Sequence, residues 1–148
     1  MRILIINGPN LNLLGTREPD VYGDLMLDGL NDQLKMYCSD RDIQTSFFQS
    51  NHEGFIIDFI HDNRTKADGI VINPGALTHY SYALRDALAA VNLPTVEIHI
   101  SDIYNREEFR KKSVVKEVCI NQISGKGTNG YFRAIDYLIK YLSSEDKL

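Results

Sequence analysis

The chain has little cysteine, and the cysteines it has lie far apart. Cys38 and Cys119 are the two cysteines among 148 residues, and they do not form a Cys-x-x-Cys pair. A disulfide scaffold or a thiolate metal cage would need more cysteines at closer spacing. The sequence therefore predicts two buried thiols that pack as small hydrophobic side chains.

Long hydrophobic runs and an excess of positive charge are also absent. A membrane-spanning helix needs about 18 or more apolar residues in a row, and the sequence has no such run. Ile3–Ile6 is too short to be the core of a signal peptide. The formal net charge is −4, whereas nucleic-acid binding requires a basic face. These features predict a cytoplasmic protein that binds neither nucleic acid nor membrane, in which a few local cations attract any anionic ligand.

The apolar residues alternate between two kinds of spacing, and no repeat or Pro/Ser-rich linker divides the chain. We therefore expect a single domain over residues 1–148. The predicted strands are Ile3–Ile6, Ile43–Gln49, Gly69–Asn73, Thr95–Ile100 and Val118–Ile123. The predicted helices cover Leu27 to Tyr37, the stretch after a capping box formed by Ser50 and Glu53, Ser81–Val91 and Tyr131–Leu142, with a short one at Glu107–Arg110. Strands that alternate with helices predict a flavodoxin-like three-layer α/β/α sandwich with a five-stranded parallel sheet.

Polar side chains follow the predicted strands, where ligands bind in an open parallel sheet. Asn, Gly and Pro are ordinary turn residues, which is a sufficient explanation for Asn7 and Pro74. It does not explain His79 and His99, which fall at the same edge. Glu97 and His99 are two apart on one strand, so their side chains leave the same face and the carboxylate can fix the tautomer of the imidazole.

A segment without regular structure, Gly15–Gly23, follows the first predicted strand and carries Arg17 and Tyr22. It is long enough to act as a lid. A loop arginine is as often a solvated surface residue as a functional one, so on this segment alone both interpretations of Arg17 stay open.

Three other functions are alternatives to general acid–base catalysis: dinucleotide binding, metal binding and serine hydrolysis. Gly125–Gly130 matches G-x-G-x-x-G, but no strand follows it to supply an acidic ribose contact, so close helix–sheet packing explains it better than dinucleotide binding. A metal site built from His79, Glu97, His99 and Asp86 has no supporting ligand spacing. No Gly-x-Ser-x-Gly elbow is present, which disfavours a serine hydrolase. The remaining interpretation is general acid–base catalysis.

Binding or signalling modules of the same fold are the rival class. A receiver domain would need an acidic cluster after the first strand and an aspartate after the third, where this chain has Asn7 and Asn73. An FMN carrier would need a Ser/Thr-rich phosphate loop, and Gly8-Pro9-Asn10-Leu11 is not one. Neither alternative fits the sequence well.

Seven motifs, in order along the chain, resemble those of the type II 3-dehydroquinate dehydratases. They are INGPNLNLLG (6–15), REPDVYG (17–23), QSNHEG (49–54), NPGALTH (73–79), ALRD (83–86), EIHIS (97–101) and REEFR (106–110). The resemblance implies a flavodoxin-like fold and an anti elimination of water from 3-dehydroquinate to 3-dehydroshikimate, through an enolate and without metal or cofactor. It also implies a role in the shikimate pathway, toward chorismate and aromatic amino acids, or in quinate breakdown.

The resemblance also implies roles for individual residues. Tyr22 would be the base and His99 the acid; Arg17 would stabilise the tyrosinate and Glu97 would orient His99. Asn10 would hold a water against the enolate oxygen.

The remaining implied roles concern substrate binding and assembly. The substrate carboxylate would be held by Asn73 and by the backbone amides of Ile100 and Ser101, and ring hydroxyls by His79 and Arg110. Asp86 would reach the site of a neighbouring subunit, since members of the family are trimers assembled into dodecamers. The chain departs from the family pattern at Lys111-Lys112-Ser113, where many members have a histidine before the serine. We expect that departure to affect subunit packing rather than the chemistry.

Overall fold

A parallel sheet of five strands forms the centre of the computed structural model, which describes residues 1–16, 18–22 and 24–144, with the backbone alone at Val21 and Tyr22. The strand order is β2-β1-β3-β4-β5, which agrees with the predicted flavodoxin-like topology. The strands are β1 (Arg2–Asn7), β2 (Gln44–Gln49), β3 (Gly69–Asn73), β4 (Thr95–His99) and β5 (Asn121–Ser124). The register pairs Asn7 with Asn73 and Glu97 with Gln122, which brings polar side chains together at the carboxyl edge.

Helices cover both faces of the sheet, as the alternating pattern predicts. They are α1 (Pro19–Tyr22), α2 (Leu27–Ser39), α3 (Glu53–Asp62), α4 (Tyr82–Val91) and α5 (Asn129–Ser143). Ile3 and Ile5 of β1 pack in one core with α2 and α5, whereas Leu4 and Ile6 pack in a second core with α3 and α4. Because successive strand side chains point to opposite faces, a continuous apolar run such as Ile3–Ile6 supplies both cores.

The glycine-rich turn before α5 serves the packing of that helix. A Cβ atom on Gly130 would lie 3.0 Å from Cδ1 of Ile98 in β4. A larger residue would therefore crowd the Ile98 side chain, which supports close helix–sheet packing as the reason for this glycine.

Four local predictions need correction. The capping box is wrong, because the Ser50 hydroxyl accepts from the amide of His52 while the Glu53 carboxylate accepts from the Ser81 hydroxyl at 2.5 Å. The fifth strand begins at Asn121 instead of Val118, since residues 116–118 form a turn of 3-10 helix.

The remaining corrections concern the lid segment and the thiols. Part of the predicted loop forms the one-turn helix α1, which begins at Pro19, a favoured first helical residue. Cys38 is buried as predicted, but Cys119 is only partly so. Among the described residues, no helix is long and apolar enough to cross a bilayer.

Candidate active site

A cavity of about 310 Å³ opens at the carboxyl edge of the sheet, between the turns that follow β1, β3 and β4. Seven residues predicted for the site line it: Asn10, Asn73, His79, His99, Ile100, Ser101 and Arg110. Glu97 lies behind His99. Asp86 is exposed on α4 and does not line this cavity. Arg17 and the side chain of Tyr22 lie outside the described residues, so their predicted roles remain predictions.

Glu97 and His99 form a buried pair, as their spacing on β4 predicts. Oε1 of Glu97 lies 2.6 Å from Nε2 of His99, and the two residues are 0% and 5% exposed. A carboxylate accepts hydrogen bonds, so Nε2 of the imidazole carries a proton and donates it. Nδ1, the other ring nitrogen, is then left for proton exchange with a ligand in the cavity.

The Glu97 carboxylate receives three further donors. The Thr78 hydroxyl donates to Oε1, and the Ser113 hydroxyl lies 3.0 Å from each carboxylate oxygen. Nε2 of Gln122, on the neighbouring strand β5, donates to Oε2 at 3.0 Å. Burial alone would raise the pKa of Glu97, but the hydrogen bond and charge of His99, together with the two hydroxyls, outweigh it and lower the pKa. The buried carboxylate is therefore ionised and can stabilise an imidazolium.

His79 contributes a second imidazole, in its neutral form, to the lining of the cavity. Its Nδ1 lies 2.7 Å from the carbonyl oxygen of Lys112, an acceptor, so Nδ1 donates and Nε2 is left as an acceptor. Burial lowers the pKa of His79, and the nearby His99 and Arg110 lower it further. The ring also makes an edge contact with Phe109. His79 is thus suited to accept a hydrogen bond from a ligand hydroxyl.

Asn73 is held in a fixed orientation by the floor of the site. Its Oδ1 accepts from the amide of Gly75 at 3.1 Å, and its Nδ2 donates to the Tyr131 hydroxyl at 3.0 Å. That hydroxyl donates in turn to Oδ1 of Asn7 at 2.5 Å. An amide nitrogen has two hydrogens, so Asn73 keeps one for a ligand.

The backbone after β4 also directs donors toward the cavity. Gly125 N donates to the carbonyl of His99, and Gly127 N donates to the carbonyl of Ile100. In a trans peptide the N–H group points opposite to the carbonyl of the same unit. The amides of Ile100 and Ser101 therefore point away from the Gly125–Gly127 turn, and both residues line the cavity.

A second arginine in the cavity was missed by the sequence reasoning. Nη1 of Arg106 donates to the Ser101 hydroxyl at 3.3 Å, and Nη2 lies 3.7 Å from Oε2 of Glu18, in the segment predicted as a lid. Arg106 is the first residue of the REEFR motif, and that motif was the available signal. Arg110, which was predicted, makes an ion pair with Glu107.

Comparisons with known proteins agree with this geometry. Residues 1–139 match the model of the family described as dehydroquinase class II. The chain belongs to that family. A 3-dehydroquinate dehydratase of Halothermothrix orenii is 55% identical over 141 residues, covering 95% of each chain. One of Clostridium botulinum is 50% identical over 146 residues, covering 99% of this chain and 96% of the relative.

A solved structure extends the similarity to three dimensions. The crystal structure of a type II dehydroquinase from Butyrivibrio crossotus superposes with a TM-score of 0.92 and 52% identity, covering 94% of this chain and 97% of the other. The chain is therefore an enzyme, a lyase that dehydrates 3-dehydroquinate in the shikimate pathway.

Proposed function

We propose that the chain performs an anti elimination of water from 3-dehydroquinate through an enolate, with Tyr22 as base and His99 as acid. The observation that carries the proposal is the buried pair of Glu97 and His99 at the wall of a polar cavity. The ketone of the substrate acidifies the adjacent methylene, the base removes one proton from it, and the acid protonates the departing β-hydroxyl.

His99 is suited to the acid step by its partner. Glu97 binds the ring at Nε2 and leaves Nδ1 for the ligand, and the proton that leaves from Nδ1 can be regained from solvent after each turnover. The imidazole is also held in place by its second nitrogen, so little reorganisation is needed when the hydroxyl departs.

Tyr22 needs help to act as a base at neutral pH. A phenol has a pKa of about 10, so lowering it by about three units requires about 4 kcal/mol of preference for the tyrosinate. One cation at about 4 Å with an effective dielectric of about 20 supplies about that much. Arg17, five residues earlier in the same segment, is the cation that the proposal assigns to this role.

The carboxylate of the substrate is held by donors of fixed direction. These are the remaining amide hydrogen of Asn73 and the backbone amides of Ile100 and Ser101, a set that suits an anion. His79 and Arg110 bind ring hydroxyls, and Asn10 holds a water against the enolate oxygen. Asn10 is positioned by its own backbone amide, which donates to Oδ1 of Asn51 at 2.9 Å.

The proposal includes a homo-oligomer, a dodecamer built of trimers, in the cytoplasm, with residues 1–148 as one catalytic domain. Asp86 is exposed on α4, and Phe55, Tyr80 and Tyr82 are large exposed aromatic residues at the start of α3 and α4. Exposed apolar side chains grouped in this way suit a protein contact. Asp86 of one subunit then completes the cavity of its neighbour.

A mixing experiment tests the contribution of Asp86. Asp86→Asn and His99→Asn variants are each expected to be weak, but co-assembled subunits place an intact Asp86 beside an intact His99. Recovered activity in the mixture supports a shared site. Activity that stays at the average of the two pure variants, in oligomers shown to be mixed, contradicts it.

Ultraviolet absorbance on mixing the protein with 3-dehydroquinate tests the reaction itself. The conjugated enone of the product gives a growing signal, and a chelator and prior borohydride treatment should leave its rate unchanged. A rate abolished by borohydride would point to a lysine Schiff base, and one abolished by chelator to a metal. Either result would contradict the proposed mechanism.

A further inference from the structure

A chain of hydrogen bonds connects a phenol near the surface to the imidazole of the active site. The Tyr104 hydroxyl donates to Oε1 of Gln122, and Nε2 of Gln122 donates to Oε2 of Glu97 at 3.0 Å. Oε1 of Glu97 then accepts from His99. We propose that Gln122 and Tyr104 are positioning residues, which clamp the Glu97 carboxylate so that His99 keeps its proton on Nε2.

The polarity of this chain follows from the charge of Glu97. An amide could present either its NH₂ or its oxygen to a neighbour. Opposite an ionised carboxylate the oxygen would be repelled, so the NH₂ of Gln122 faces Glu97 and the oxygen faces away. The outward oxygen needs a donor, and the Tyr104 hydroxyl is that donor. Tyr104 thus holds the amide in the orientation that Glu97 requires.

Gln122 is distinguished from the other donors by the oxygen it binds. Thr78 and His99 donate to Oε1, and the single proton of Ser113 is shared between both oxygens. Among the described residues, Gln122 is the donor dedicated to Oε2. Without it Oε2 would keep only its share of the Ser113 proton, so the carboxylate could turn about its last bond and shift Oε1 relative to Nε2 of His99. If the carboxylate rotated, it would no longer fix the proton on Nε2 of the imidazole or hold Nδ1 in one position.

The fold fixes the positions of Gln122 and Tyr104 relative to Glu97. Glu97 and Gln122 are direct partners in the register of β4 and β5. Tyr104 lies in the 3-10 turn that follows β4, and its ring is 5.8 Å from the ammonium group of Lys116. A turn and two adjacent strands therefore fix the relative positions of phenol, amide and carboxylate.

The test compares Gln122→Met, which keeps the length of the side chain, and Tyr104→Phe, which removes one oxygen atom. Gln33→Met and Tyr137→Phe, both at exposed helical positions, are the matched controls. The first readout is the ¹⁵N spectrum of histidine-labelled protein, with the His99 signals identified by their loss in His99→Asn. At a pH high enough for the imidazole to be neutral, the expected wild-type spectrum has the one ring proton on Nε2, and both variants should show exchange between the two tautomers.

The second readout is steady-state kinetics, and this part rests on the proposed role of His99 as the acid. Hydrogen-bond partners that orient metal-binding histidines typically contribute about 10- to 100-fold, and because Gln122 orients the partner of His99 in the same way, Gln122→Met should lower kcat in that range. Tyr104→Phe should lower it about threefold to tenfold, with KM nearly unchanged in both. The controls should behave as wild type.

The two readouts separate the proposals. The tautomer measurement needs no substrate, so it tests the effect of the hydrogen-bond chain on His99 even if the proposed acid role of His99 fails. His99 signals identical to wild type in both variants would overturn the proposal, and so would altered signals with unchanged kcat. If Gln122→Met does not fold, the Tyr104→Phe spectrum alone decides.

Discussion

Nε2 of His99 lies 2.6 Å from Oε1 of Glu97, and the two side chains are buried together at the end of β4. Removing one partner from a buried pair leaves the other uncompensated. The pair connects two parts of the site. Glu97 is buried and accepts hydrogen bonds from Thr78, Ser113 and Gln122, whereas His99 lines the cavity.

Glu97→Gln should lower kcat by about 100-fold or more, a magnitude typical of lost acid–base catalysis, with a smaller change in KM. An amide carries no negative charge to stabilise an imidazolium, and its NH₂ group cannot accept the hydrogen bonds that Thr78 and Ser113 donate to the carboxylate. Steady-state kinetics measure the effect, with exposed Glu108→Gln as the control. An unchanged kcat would exclude Glu97 as the residue that orients His99.

Tyr22→Phe should reduce turnover by about 100-fold to 10,000-fold while substrate binding is largely retained. The substitution removes the proposed base and little volume. Equilibrium binding by calorimetry and turnover by absorbance measure the two effects separately. Weakened binding with normal turnover would count against Tyr22 as the base.

Replacing Arg17 by alanine should move the acidic limb of the kcat profile to higher pH. A nearby cation favours the tyrosinate and lowers the pKa of a phenol, so its removal lets that pKa rise toward about 10. A pH series of kcat for both proteins is the measurement. An acidic limb at the same pH would refute the proposed role of Arg17.

His79 should make the fold sensitive to acid. Burial lowers the pKa of His79, so below the unfolded value of about 6.5 the unfolded chain binds more protons than the folded one. The free energy of unfolding therefore decreases as the pH falls below about 6.5 toward the lower pKa of the folded state. His79→Asn keeps a donor for the Lys112 carbonyl but does not titrate.

Urea unfolding at about pH 7 and about pH 5 checks this expectation. The wild type should lose more of its free energy of unfolding between the two conditions than His79→Asn does. An equal loss in the two proteins would show that His79 does not contribute to the acid sensitivity.

The two thiols should be unreactive in the folded protein. Burial raises the pKa of Cys38 to about 11 and that of Cys119 to about 12, the latter with a further contribution from the charge of Glu97. Thiolates are the reactive form, so a disulfide reagent at about pH 8 should label both slowly, and quickly after unfolding. Rapid labelling of the native protein would mean that one thiol is accessible and ionised.

The fold and much of the cavity could be predicted because they depend on local patterns. Ile3–Ile6 is apolar at every position, as a strand buried on both faces must be. His79 follows the third strand and His99 lies at the end of the fourth, and both strands end at one edge. The surroundings of Glu97 could not be predicted in this way. Thr78, Ser113 and Gln122 come from three separate segments, and only the tertiary fold brings them to one carboxylate.

The capping box failed for a related reason. Ser50 and Glu53 have the correct spacing, but Glu53 binds the Ser81 hydroxyl, which itself caps α4 by accepting from the amide of Leu84 at 3.0 Å. A contact distant in sequence thus replaced the local one.

The stereochemistry of proton loss tests the central claim most directly. The substrate would carry deuterium at one of the two methylene positions next to the ketone, and proton NMR would measure deuterium in the product. Base and acid on opposite faces of the ring require that the deuterium anti to the departing hydroxyl be lost and the syn deuterium be retained. Loss of the syn deuterium would contradict the assignment of Tyr22 and His99 to opposite faces.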